Sequence, residues 1–156
     1  MECFYEGLYA ELSLYVRQIA WLNGTPERAK GDKSTEPLPS RIKRMEADGL
    51  EPELPEVYAP HLIGILFEIG PTMGDGPLTH GELRAWMQNT GIELQAWEAR
   101  YLRRLSIDYM VQSQQPDNCP APYQPEDMTE ENRAAVAKQV TNAMRAYKMA
   151  KPNSRE

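Results

Sequence analysis

The stretch Thr79–Val111, THGELRAWMQNTGIELQAWEARYLRRLSIDYMV, decides the fold. Thr79 stands three residues before Glu82, the spacing of a capping box. In that motif the threonine oxygen accepts from the Glu82 amide and the glutamate reaches back to the Thr79 amide. Leu83, Trp86 and Met87 then share one helical face. Gly91 ends the helix, because glycine takes the left-handed C-terminal conformation without steric cost. A second helix begins near Leu94 to Ala96. Its Trp97, Tyr101, Leu105 and Tyr109 recur at four-residue spacing, widened by Leu102, Ile107 and Met110, with Arg100, Arg103 and Arg104 mostly off the stripe. So short a connection makes the pair an αα-hairpin or a steep crossing.

Upstream of this block, residues 4–22 read as a helix. Phe4, Leu8, Leu12, Tyr15, Ile19 and Leu22 step by three or four, with Tyr5, Tyr9 and Leu14 beside them. Asn23-Gly24 and Pro26 stop it. Residues 24–39 are a polar linker rich in Gly and Pro. Ser40 can cap a short basic helix, RIKRMEAD, whose Arg41, Lys43 and Arg44 read as a solvated face. Pro60 suits a first helical turn, so HLIGILFEIG is a short buried helix rather than a strand. GPTMGDGPLT is a turn-rich loop. It is no phosphate loop, since no strand precedes it and no Gly-Lys-Ser/Thr follows.

Downstream, SQQPDNCPAPYQPED carries four prolines and reads as extended chain. Thr129 caps a last helix with acids in its first turn and bases toward its end, as the helix dipole favours. The expected organisation is an N-terminal amphipathic helix over 1–23, a linker with a short basic helix over 24–59, a helical core over 60–114, and a proline-rich loop with a C-terminal helix over 115–156. The fold class is all-α, five or six helices around a central αα-hairpin with proline-rich extended connections.

The net charge of −6 is unevenly spread. Residues 51–78 hold Glu51, Glu53, Glu56, Glu68 and Asp75 without a single Lys or Arg, and no basic run marks a nucleic-acid tail. No apolar run approaches the length of a membrane span. The acidic N-terminus lacks the basic region of a signal peptide. Cys3 and Cys119 read as free thiols in a reducing compartment. These features point to a cytoplasmic chain without a membrane partner.

Catalytic chemistry has little footing. His61 and His80 have no Cys, His or carboxylate at metal-ligand spacing. There is no GxSxG elbow or CxxC, and the paired carboxylates Glu126–Asp127 and Glu130–Glu131 show no means of pKa tuning. No catalytic, cofactor or metal site is expected. The Gly91-centred pair superficially suggests a helix-turn-helix DNA-binding regulator. However, its second helix opens on Leu94, Ala96, Trp97 and Glu98 rather than on polar base-reading residues. Residues 79–112 also balance four acids against four bases, which leaves little counterion-release drive. The aromatic side chains Tyr5, Tyr9, Trp21, Trp86, Trp97 and Tyr101 are the candidate partner contacts, since Trp and Tyr dominate interface hot spots.

Pro52-Glu53-Leu54-Pro55, Phe67-Glu68-Ile69-Gly70-Pro71, Leu78-Thr79, Glu82-Leu83, Trp86, Thr90-Gly91, Leu94, Trp97-Glu98, Leu102, Leu105-Ser106 and Tyr109, followed by Asn118-Cys119-Pro120-Ala121-Pro122-Tyr123, form a pattern over residues 50–124. The pattern resembles small tail assembly chaperones of long-tailed, siphophage-like phages. The resemblance implies a non-enzymatic protein of the bacterial host cytoplasm. Such a protein binds the aggregation-prone tape measure protein, helps recruit the tail tube protein and is absent from the finished virion. It also implies self-association, and in many phages a second, frameshifted product. It carries over no residue-level site. A structural tail or connector protein is the other non-enzymatic alternative.

Overall fold

The computed structural model describes residues 2–31, 33 and 35–124, with side chains from Glu6 onward. Five α-helices and one small β-ribbon make up these residues: α1 Glu2–Asn23, α2 Arg41–Ala47, α3 Pro60–Ile69, β1 Thr72–Met73, β2 Gly76–Pro77, α4 His80–Thr90 and α5 Ala96–Ser113. Leu8–Tyr123 form one compact unit. Residues 1–7 belong to a second unit, of which the helical backbone from Glu2 is described. The expected helix after Thr129 lies outside the described residues.

Local signals set most boundaries. α1 stops at Gly24, whose amide bonds back to the Ala20 and Trp21 carbonyls. Pro60 opens α3, where its missing N–H costs no helical hydrogen bond. Thr79 caps α4 by accepting from the Glu82 amide at 3.3 Å. The reciprocal half differs from expectation, because the Glu82 carboxylate accepts from the Thr79 hydroxyl instead of the Thr79 amide. Gly91 closes α4 in the left-handed conformation (φ 71°, ψ 10°). At α5 the Gln95 amide donates to the Glu98 carboxylate at 2.8 Å, a cap unmarked by any Ser or Thr. Ser40 precedes α2 in extended conformation, but its side chain makes no capping bond.

α5 is the hub. It packs against α3, α4 and both strands. Leu102 and Leu105 are fully buried there, with Leu62 and Leu66 of α3 and Leu83 of α4 also in the core. α1 reaches α5 through hydrogen-bonded pairs: Tyr9 and Ser13 to Asp108, then Arg17 to Gln112. Asn23 at the end of α1 also donates to the Tyr109 hydroxyl at 3.2 Å.

Two expectations need refinement, on the glycine-rich loop and on α1. The described residues are mostly helical, as expected, and what differs is that the GPTMGDGPLT loop contains a small antiparallel ribbon pairing Thr72 with Pro77 and Met73 with Gly76. Gly74, at φ 59°, supplies the positive φ that its tight turn needs. The buried row of α1 is Leu12, Val16 and Ala20, with Leu22 beyond them, while Tyr15 and Ile19 are only half-buried. α5 buries two polar residues within its apolar stripe, Ser106 and Gln112.

Candidate functional site

The site begins with a proline-rich chain that bonds to itself once, from the Cys119 amide to the Pro116 carbonyl at 2.9 Å. Residues 116–123 follow α5 and include Pro116, Pro120 and Pro122, which lack amide donors and cannot extend a helix. Side chains from elsewhere hold this strap by its backbone. Gln18 of α1, 5% exposed, accepts from the Tyr123 amide at 3.1 Å. The Trp21 indole N–H donates to the Cys119 carbonyl at 2.9 Å. Arg41 of α2 donates to the Asp117 carbonyl and, through Nη1, to the Trp21 carbonyl at 2.9 Å. Its guanidinium also lies over the Trp21 ring, 4.5 Å from the centroid, a cation–π contact. Gly24 leaves room for this latch, since a Cβ there would stand 2.8 Å from Arg41 Nη1.

Between α1, α5 and the strap lies an open cleft of about 520 Å³. Ser13 and Arg17 line one side, Asp108, Val111 and Gln112 another, and Cys119 to Pro122 the third. Asp108 Oδ2 accepts from both the Tyr9 and Ser13 hydroxyls. Gln112 accepts from Arg17 Nε at 3.4 Å and donates to the Cys119 thiol at 3.5 Å. A smaller cavity of about 220 Å³, lined by Trp21 and Arg41, shares Gln112 and Cys119 with it.

The aromatic candidates separate. Tyr9, Tyr101 and Trp97 form an edge-to-face series, with ring centroids 5.3 Å and 5.5 Å apart. Arg104 covers the outer Tyr9 ring, 3.8 Å from its centroid. Burial, and next the hydrogen bond donated to Asp108, push the Tyr9 phenol up to about 12. Tyr101 and Trp86 are 7% and 9% exposed, so both present almost no surface to a partner. Trp97 is half-buried, and Trp21 belongs to the strap latch. The Tyr5 side chain lies outside the described residues.

Apart from Trp21, the residues that build the cleft and its latch were not among those candidates. Arg17, Gln18, Arg41, Gln112 and Cys119 are all polar or solitary in the sequence. A signal existed for two of them. Gln18 falls four residues from both Leu14 and Leu22, and Gln112 falls seven after Leu105, each at the spacing of a buried row. Arg41 carried no such signal, because its partners lie in α1 and the strap.

Elsewhere, His61 at the start of α3 approaches Glu98 of α5, with Nε2 3.3 Å from Oε1. Among the described residues no three His, Cys, Asp or Glu side chains group as a metal site would require. No helix among them is long and apolar enough to cross a membrane. Comparison of the chain with protein-family models, with curated proteins and with solved structures finds no match.

Proposed function

We propose that this chain is a non-enzymatic phage tail assembly chaperone. In the bacterial host cytoplasm it binds the tape measure protein and assists addition of the tail tube protein. One observation carries the reading: the residues of the sequence resemblance are also the joints of one structural unit. Pro71, Leu78 and Ser106 share a hydrogen-bonded junction in which Leu78 and Ser106 are buried. Thr79, Glu82 and Gly91 bound α4, Leu102 and Leu105 fill the core, and Cys119 to Pro122 form one wall of the cleft. A pattern spread over residues 50–124 thus specifies a scaffold that ends at a concave surface suited to a partner segment. On this reading α4 and α5 act as a central αα-hairpin and the proline-rich strap as a fixed rim.

The test is co-expression with the tape measure protein from the same genome, followed by size-exclusion chromatography with light scattering. The expected result is a soluble, co-eluting complex of a client that is insoluble alone. A client that stays insoluble while this chain elutes by itself would overturn the reading. Salt-dependent binding to duplex DNA would then favour the regulator, and presence in purified virions the structural component.

A further inference from the structure

We infer that the cleft between α1, α5 and the strap docks a partner segment carrying a carboxylate next to an aliphatic side chain. The carboxylate meets Arg17, and the aliphatic group meets Val111 and the strap prolines. This rests on the chaperone reading and gives its client contact a chemistry.

Arg17 is exposed, and its one hydrogen bond among the described residues is the long contact from Nε to Gln112. Both Nη nitrogens therefore remain without a described partner. Asp108 shares the cleft but forms no described ion pair with Arg17, and its Oδ2 is already taken by two hydroxyls. A guanidinium fork with its outer edge open matches the planar geometry of a carboxylate, which it binds through two parallel hydrogen bonds. Val111 is 49% exposed on the same wall as buried Gln112. Of the four large exposed apolar side chains described (Leu50, Tyr58, Ile92 and Val111), it alone lines this cleft. Pro120 and Pro122 face it from the strap and add apolar surface without free amide donors. A cleft of about 520 Å³ is larger than one side chain needs. An open base next to an exposed valine therefore calls for a segment offering both an acid and an apolar group. A small free carboxylate would leave Val111 wet.

The experiment measures fluorescence anisotropy of short overlapping peptides covering the tape measure protein, titrated with the full chain. Wild type, Arg17→Glu and Val111→Asp are compared, with circular dichroism confirming that each variant is folded. Bound peptides should carry Asp or Glu within one helical turn of Leu, Ile, Val or Met. Each variant should weaken binding by roughly tenfold or more, and replacing the peptide acid by Lys should restore binding to Arg17→Glu alone. The inference is overturned if folded Arg17→Glu binds as wild type does, if acid-free peptides bind equally well, or if no peptide binds. It is also overturned if millimolar succinate displaces the peptides, which would mark a small-carboxylate site. Co-purification of the full-length client is read separately: a client retained by wild type and by both variants removes this inference and leaves the chaperone reading standing.

Discussion

The Ser106 hydroxyl lies 2.7 Å from the Leu78 amide nitrogen, and both residues are fully buried. The same oxygen donates to the Pro71 carbonyl at 2.7 Å. A serine hydroxyl has one proton to give and lone pairs to receive with. Here it closes both ends of the β-ribbon loop onto α5, at a position where a longer polar side chain would have to displace core leucines.

Ser106→Ala therefore removes two hydrogen bonds and leaves a buried N–H and a part-buried C=O without the hydroxyl. The expected cost is about 2–3 kcal/mol, since unsatisfied buried polar groups carry their full desolvation penalty. Urea unfolding measures it. Hydrogen exchange at the Leu78 amide should quicken at the same time. A loss below a few tenths of a kcal/mol would mean that water replaces the hydroxyl.

The strap should respond to its latch. Arg41→Met keeps the length of the side chain but removes the donors to the Asp117 and Trp21 carbonyls. In a Cys3→Ser background, Cys119 should then react faster with a disulfide reagent, by roughly three- to tenfold if one or two net hydrogen bonds held the strap. An unchanged rate would show that Trp21 and Gln18 suffice.

Tyr9 makes the fold sensitive to alkali. Its ionisation is pushed from 10.0 to about 12 by burial first and by the bond to Asp108 second. A group raised in the folded state contributes stability that is complete below its unfolded value. That contribution is lost as pH rises through the folded value, so the window is pH 10 to 12. Tyr9→Phe should delete a tyrosinate absorbance step near pH 12 and flatten the stability loss across that window.

Glu11 has the same sign at the acid end. Burial raises its carboxyl above 4.5, only partly offset by a hydrogen bond from the Tyr58 backbone. Its buried Oε2 has no hydrogen-bond partner. The stabilising protonated form is complete below pH 4.5 and lost as pH rises through the folded value, so the carboxylate is a net cost at neutral pH. Glu11→Gln should raise the melting temperature at pH 7 and give no gain below pH 4.5. Equal shifts at both would point to packing rather than charge.

The two central tryptophans should behave differently. Trp86→Ala empties a core position and is expected to cost about 3–5 kcal/mol. Trp97 is half-buried, and its truncation should cost clearly less. Chemical denaturation of the pair tests the order, and the reverse order would place Trp97 in the core.

The sequence by itself determined where the helices lie. Gly24, Gly91, Pro60 and the Thr79–Glu82 spacing act through backbone geometry within a turn or two, so their meaning is local. It also showed which residues share a face, as Leu102 and Leu105 do. It did not show what each face meets. Ser106 bonds to residues 28 and 35 positions away, Trp21 to one 98 away and Gln18 to one 105 away. Periodicity carries no information at such separations. Only the tertiary structure decided that the small row of Val16 and Ala20 turns inward, that a glycine-rich loop pairs as a ribbon, and that three side chains hold the strap as the rim of a cleft. The physical reason is that a buried polar group must find a partner wherever in the chain one can be brought to it, and while spacing can mark such a group as buried, the residues beside it do not name its partner.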